Sequence, residues 1–177
     1  MERLGVDMKN RFEPNDMVMY GGHGVCTLVE ITEKDFGGEA KSYYVLRPAY
    51  SGSSVFYVPI DSETLTAKMH PVKSAEEIRV VIRACGMADW IEEDRARQNY
   101  LKQIADGGGT EQLVSMYKRL YIRQKELADI GKKLRAADDR YMRDIEKLLL
   151  EEFSSSFELQ KEDLVPFLFA ELEPIEK

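Results

Sequence analysis

Pro71-Val72-Lys73-Ser74-Ala75-Glu76-Glu77-Ile78-Arg79-Val80-Val81-Ile82 is where the chain changes its period. Ser74 and Glu77 have the S-x-x-E spacing of a capping box, in which serine oxygen and glutamate each satisfy an orphan backbone donor. Ile78, Val81 and Ile82 then recur at helical spacing, so a helix starts here. Upstream the period is that of strands. Met17 to Tyr20, Val25 to Ile31, Tyr43 to Leu46 and Val55 to Val58 are β-branched and aromatic runs bounded by Gly, Pro, Asn or Ser. Gly37-Gly38 between the second and third run supplies a tight hairpin. Strands this short leave exposed edges in a flat sheet, which favours a small, curved antiparallel half-barrel of SH3-like or Tudor-like type.

Downstream the pattern is helical to the end. Asp89 is positioned to cap a second helix, with Trp90 at its first turn, running to Gly107-Gly108-Gly109. Thr110 is placed to cap a third and Asp138 a fourth, the latter with Tyr141, Ile145, Leu148 and Leu149 as its apolar stripe. After Ser154-Ser155-Ser156, the apolar piece Leu164 to Leu172 contains Pro166 and is either a docking helix or a frayed end. The fold class expected is α+β multidomain: a β half-barrel over residues 1–70, then an all-α bundle with an acidic tail over 74–177.

The 177 residues carry 25 Lys plus Arg against 32 Asp plus Glu, a net charge of −7 that argues against coating nucleic acid on bulk charge. The distribution says more. Residues 1–72, 73–94 and 148–177 carry net −3, −3 and −6, whereas 95–147 carries +5. Its thirteen cations fit a solvated helix face or, spread over three helices, a phosphate-binding surface. Lys132, Lys133 and Arg140 are the phosphate-contact candidates outside the second helix.

No apolar run approaches the ~18–20 residues of a membrane span, and no charged leader precedes an apolar stretch, so a cytoplasmic protein is expected. Cys26 and Cys85 make neither a C-x-x-C pair nor a disulfide framework. With His23 and His70 as its two histidines, the chain offers no H-E-x-x-H, and G-x-S-x-G and phosphate-loop signatures are also missing. Neither an enzyme nor a metal or cofactor is expected. His23, among the glycines of Gly21-Gly22-His23-Gly24, is expected to hydrogen-bond its turn. Trp90, the single tryptophan, is either a staple closing the helical core or a probe exposed at a helix tip.

Phe12-x-x-x-Asp16-x-Val18-x-Tyr20-x-x-His23-Gly24, then Glu30-Ile31, Tyr43-Tyr44-Val45-Leu46 and Val58-Pro59, resembles the RNA polymerase interaction domain shared by CarD-type bacterial transcription regulators and the transcription-repair coupling factor. The Trp90 helix, the glycine break, Leu120-Tyr121-x-Arg123, Lys132-Lys133-Leu134 and Glu146-Lys147-Leu148-Leu149 resemble the helical DNA-binding domain of the CarD branch. The resemblance implies a non-enzymatic regulator whose β domain grips the protrusion lobe of the polymerase β subunit through Lys34, Phe36 and Tyr57; a monomer is expected, although the sequence does not fix the oligomeric state. It further implies that Trp90 wedges into the minor groove at the upstream edge of the melted −10 region and stabilises the promoter open complex, with Arg95 and Arg97 on phosphates. The other class left open is an adaptor whose barrel binds a protein partner while its helices touch no DNA.

Overall fold

The structure, a computed structural model, describes residues 11–50 and 52–170. Residues 171–177, the end of the acidic tail, lie outside the described residues, as do 1–10 at the start of the first domain. Five antiparallel strands come first: β1 (Met17–Tyr20), β2 (Val25–Asp35), β3 (Ala40–Pro48), β4 (Phe56–Pro59) and β5 (Met69–Pro71), in spatial order β4-β3-β2-β1-β5. The four strands expected from the sequence are present, two of them longer. The β2–β3 hairpin closes through Asp35, whose Oδ1 accepts from the backbone N–H of Gly37 and of Gly38, the latter at φ 95°. The fifth strand and the short helix α1 (Glu63–Thr66) before it were not expected. Met69-His70-Pro71 is too short to announce itself and is a strand because β1 pairs with it, Met19 opposite His70.

The helices follow: α2 (Ala75–Ala84), α3 (Asp94–Gly107), α4 (Thr110–Asp129), α5 (Ala136–Phe153) and α6 (Leu164–Ala170). The capping box forms as expected: Ser74 Oγ accepts from Glu77 N–H, and Glu77 Oε2 from Ser74 N–H at 2.8 Å. The piece after the serines is a docking helix, since Leu164 and Leu168 are fully buried and Phe167 packs on Phe153 and Phe157. Pro166 sits in its first turn, where its missing N–H costs nothing.

Three caps are not where the sequence puts them. Asp89 caps nothing and Trp90 lies outside any helix; α3 starts at Asp94, with Glu93 accepting from Arg95 and Ala96 N–H at 3.0 and 2.5 Å. Gly109 precedes α4, and Thr110 turns its hydroxyl to Glu152 instead. Arg135 precedes α5, and Asp138 lies inside the helix with its carboxylate committed to Arg97. For Thr110 and Asp138 a tertiary partner claims the side chain that the local pattern assigns to a cap.

β1 shows how sheet and helices join. Val18 and Tyr20 face the barrel core with Phe12, Cys26, Leu28, Tyr44, Leu46, Val58 and Met69, whereas Met19 and, from β2, Val25 belong to the helical core. Past the exposed Met17 the strand is covered on both faces, and Val18-Met19-Tyr20 is accordingly apolar without alternation. The turn Gly21–His23 meets α3 and α5 at close range. A Cβ on Gly21 would lie 2.3 Å from the Asp106 carbonyl oxygen, and one on Gly24 1.8 Å from Glu151 Oε2, which accepts from Val25 N–H. Those two glycines also have φ of 49° and 75°. Among the described residues His23 makes no hydrogen bond to its turn, contrary to expectation; its ring stacks on Tyr20 at 5.4 Å and lies tilted against Phe56 at 4.2 Å.

Glu152, fully buried, ties three elements: it accepts from Lys73 N–H and from the Thr110 hydroxyl at 2.9 Å. Burial pushes its carboxyl above the usual range, against the pull of the Thr110 hydroxyl and Lys73. Above the ordinary carboxylate range the folded state therefore holds more protons than the unfolded one, and this group's contribution to stability falls as pH rises through its folded pKa. Glu152→Gln keeps the shape and an acceptor without the titration. Its melting temperature is expected to gain on the wild type as pH is raised from about 5 to about 7.5. A constant difference in thermal melts across that range would contradict this.

Candidate functional site

Two surfaces carry the residues singled out in the sequence. The first is the outer face of the sheet near its β4 edge. Phe36 at the hairpin tip, Tyr43 on β3 and Tyr57 on β4 form a trio of edge-to-face rings, with centroids 5.2 Å (Phe36–Tyr43), 5.3 Å (Phe36–Tyr57) and 6.3 Å (Tyr43–Tyr57) apart. Tyr43 is buried beneath, but Phe36 and Tyr57 are 62% and 42% exposed. Lys34, also exposed, precedes them on β2. An aromatic cluster left in water beside an unpaired edge strand supplies both apolar area and backbone partners for a docking strand.

The second surface surrounds Trp90, in the non-helical segment between α2 and α3. The indole is partly buried against the helical core, so it is neither sealed inside nor projecting freely. Its segment is held by side chains of distant helices. Lys118 donates to the carbonyls of Ile82 and Cys85 at 3.2 and 2.9 Å, Arg119 to that of Ala88 at 2.6 Å, and Arg97 to those of Ile91 and Glu92 at 2.8 and 3.3 Å. Ala88 N–H donates to the Ser115 carbonyl. Lys118 is fully buried, and desolvation lowers its pKa. Two guanidinium groups lie against the indole, Arg97 at 4.5 Å and Arg123 at 5.4 Å from the ring centroid.

Arg97, expected on a phosphate, is buried. Its Nε and one NH2 hydrogen go to Asp138 at 3.1 and 2.9 Å, the other NH2 hydrogen to Asp94 at 2.6 Å, and NH1 to the Ile91 and Glu92 carbonyls. All five donors are spent, so no group is left for DNA. Arg95, Lys132, Lys133 and Arg140 are exposed. Arg140 lies over the Tyr141 ring and, with Lys102 and Lys147, lines an open groove of about 470 Å³ between α3 and α5. The importance of Arg123, Lys118 and Asp138 was not visible in the sequence: the two cations are equal members of a run of thirteen, and Asp138 has the appearance of a cap.

Among the described residues no group of His, Cys, Asp and Glu is arranged to hold a metal ion, and no helix is long and apolar enough to cross a membrane. Cys26 is buried, and desolvation followed by the Glu151 charge pushes its thiol up to about 12, far from a reactive thiolate.

A search of curated proteins finds no match to the chain. Residues 12–73 match the family model of the CarD-like/TRCF RID domain, the polymerase interaction module of those proteins. The match begins at Phe12 of the barrel core and ends just past β5, so it spans the whole sheet, including the aromatic edge. The five-stranded part of this chain therefore matches the CarD-like/TRCF RID domain, and with helices following it the chain is consistent with a CarD-like protein.

Proposed function

We propose that the chain binds RNA polymerase through the aromatic edge of its sheet, on the protrusion lobe of the β subunit, and stabilises the promoter open complex by wedging Trp90 into the minor groove at the upstream edge of the −10 bubble. The observation that carries this reading is the state of Trp90: a half-covered indole outside any helix, on a segment whose carbonyls are pinned by Lys118, Arg119 and Arg97. A core staple has no use for such bracing. A wedge does, because an unstacked base step is a full partner only for a ring already in place.

An aromatic wedge finds that partner in distorted DNA and not in regular duplex, and such differential affinity shifts the equilibrium toward melting. The acidic chain needs little affinity of its own, since attachment to polymerase raises its effective concentration at the promoter. Arg95, Lys132, Lys133 and Arg140 supply phosphate contacts.

The net charge of −7 favours the adaptor reading. Ionic strength separates the two. If the four exposed cations meet phosphates, the log–log slope of promoter-complex affinity against salt is expected to be about 3–4 units steeper than that of polymerase binding without DNA. Equal slopes with and without DNA would overturn the DNA contact and leave the adaptor.

A further inference from the structure

The segment 85–93 has no helical ladder, so the attitude of the indole depends on what the rest of the fold presses against it. We infer that Arg97, braced by Asp138, is the positioning residue of Trp90: its planar guanidinium fixes the face of the indole, and its NH1 group fixes the backbone that follows. The inference rests on the reading of Trp90 as a DNA wedge.

The brace spans the bundle. Arg97 is on α3 and Asp138 on α5, their side chains 4% and 2% exposed, and the two are joined by two hydrogen bonds of the fork type. Asp94 closes the network, accepting from Arg97 on one oxygen and from Arg135 on the other. Every donor of Arg97 is used, so its plane cannot rotate without breaking a buried bond. The ring whose centroid lies 4.5 Å from the Cζ of this guanidinium is Trp90. The second guanidinium, Arg123, is looser. It is partly exposed and pairs through NH1 with Glu126 at 3.0 Å, while its Nε is buried and, among the described residues, has no hydrogen-bond partner. One fixed and one adaptable cation thus flank the indole. A lysine in place of Arg97 keeps the charge for Asp138 but has neither the plane to stack nor the fork to reach Ile91 and Glu92.

A pair that only glues α3 to α5 would behave differently from one that aims Trp90, and the lone tryptophan makes the difference measurable. Arg97→Lys keeps the ion pair. The double variant Arg97→Met with Asp138→Leu removes both charges at similar volume, a replacement that buried pairs commonly tolerate without loss of stability. In folded protein with unchanged helical circular dichroism and unchanged capture by core RNA polymerase, both variants are expected to show stronger acrylamide quenching and lower anisotropy of Trp90. Open-complex lifetime in a competitor challenge is expected to fall about tenfold, to the level of Trp90→Ala. Wild-type quenching in either folded variant would overturn the inference, as would increased quenching with a wild-type lifetime where Trp90→Ala shortens it. If quenching increases while Trp90→Ala itself keeps the wild-type lifetime, the brace stands and the wedge reading fails.

Discussion

Trp90→Ala is expected to leave capture of RNA polymerase unchanged and to shorten the open-complex lifetime by about tenfold or more, read by promoter transcription after a competitor challenge. The size follows from what the ring replaces. Unstacking a base step costs a few kcal/mol, and an inserted aromatic recovers part of that in the melted state alone. About 1.4 kcal/mol of such differential binding is a factor of ten in the open-to-closed ratio. The variant should still fold: Trp90 is at the margin of the helical core, and residues 85–93 keep their bonds to Lys118, Arg119 and Arg97. Trp90→Phe, with a smaller wedge, should fall between the two. A lifetime equal to wild type in Trp90→Ala would eliminate the wedge.

Phe36→Ala is the second large effect. Its ring is 62% exposed in the isolated protein, resting edge-on against Tyr43 and Tyr57, so truncation removes little core and the domain should melt within a few degrees of wild type. At an interface the same ring is a hot-spot candidate, because an aromatic that becomes fully desolvated commonly contributes 2 kcal/mol or more. Affinity for the polymerase β subunit should drop about thirtyfold on that basis, and Tyr57→Ala, on the edge strand beside it, should lose somewhat less. Capture of the folded Phe36→Ala domain at wild-type affinity would remove the aromatic edge as the docking surface.

Legibility in the sequence tracks how local each cause is. The helix at Ala75 is written in four residues, Ser74 to Glu77, and the hairpin in Asp35-Phe36-Gly37-Gly38, so both are found by reading along the chain. The setting of Trp90 is not, because nothing near it decides it. Its segment is shaped by Arg97, Ser115, Lys118 and Arg119, and Arg97 is in turn set by Asp138, 41 positions along the chain. The charge pattern misled for the same reason. Lys118 and Arg97 look like surface cations in a basic segment but are buried donors to backbone and carboxylate. Asp138 stands at the usual place of a cap, and only the packing of α5 on α3 reveals that its partner is a guanidinium.

Open-complex stabilisation requires a protein that holds melted promoter more tightly than paired promoter. The direct measurement is its affinity for polymerase on two templates of one promoter, one fully complementary and one mismatched across the −10 region so that the bubble is preformed. Tighter binding to the bubble complex is predicted, with the preference abolished by Trp90→Ala and the remaining affinity unchanged. Equal affinity of the wild type for both templates would contradict the account.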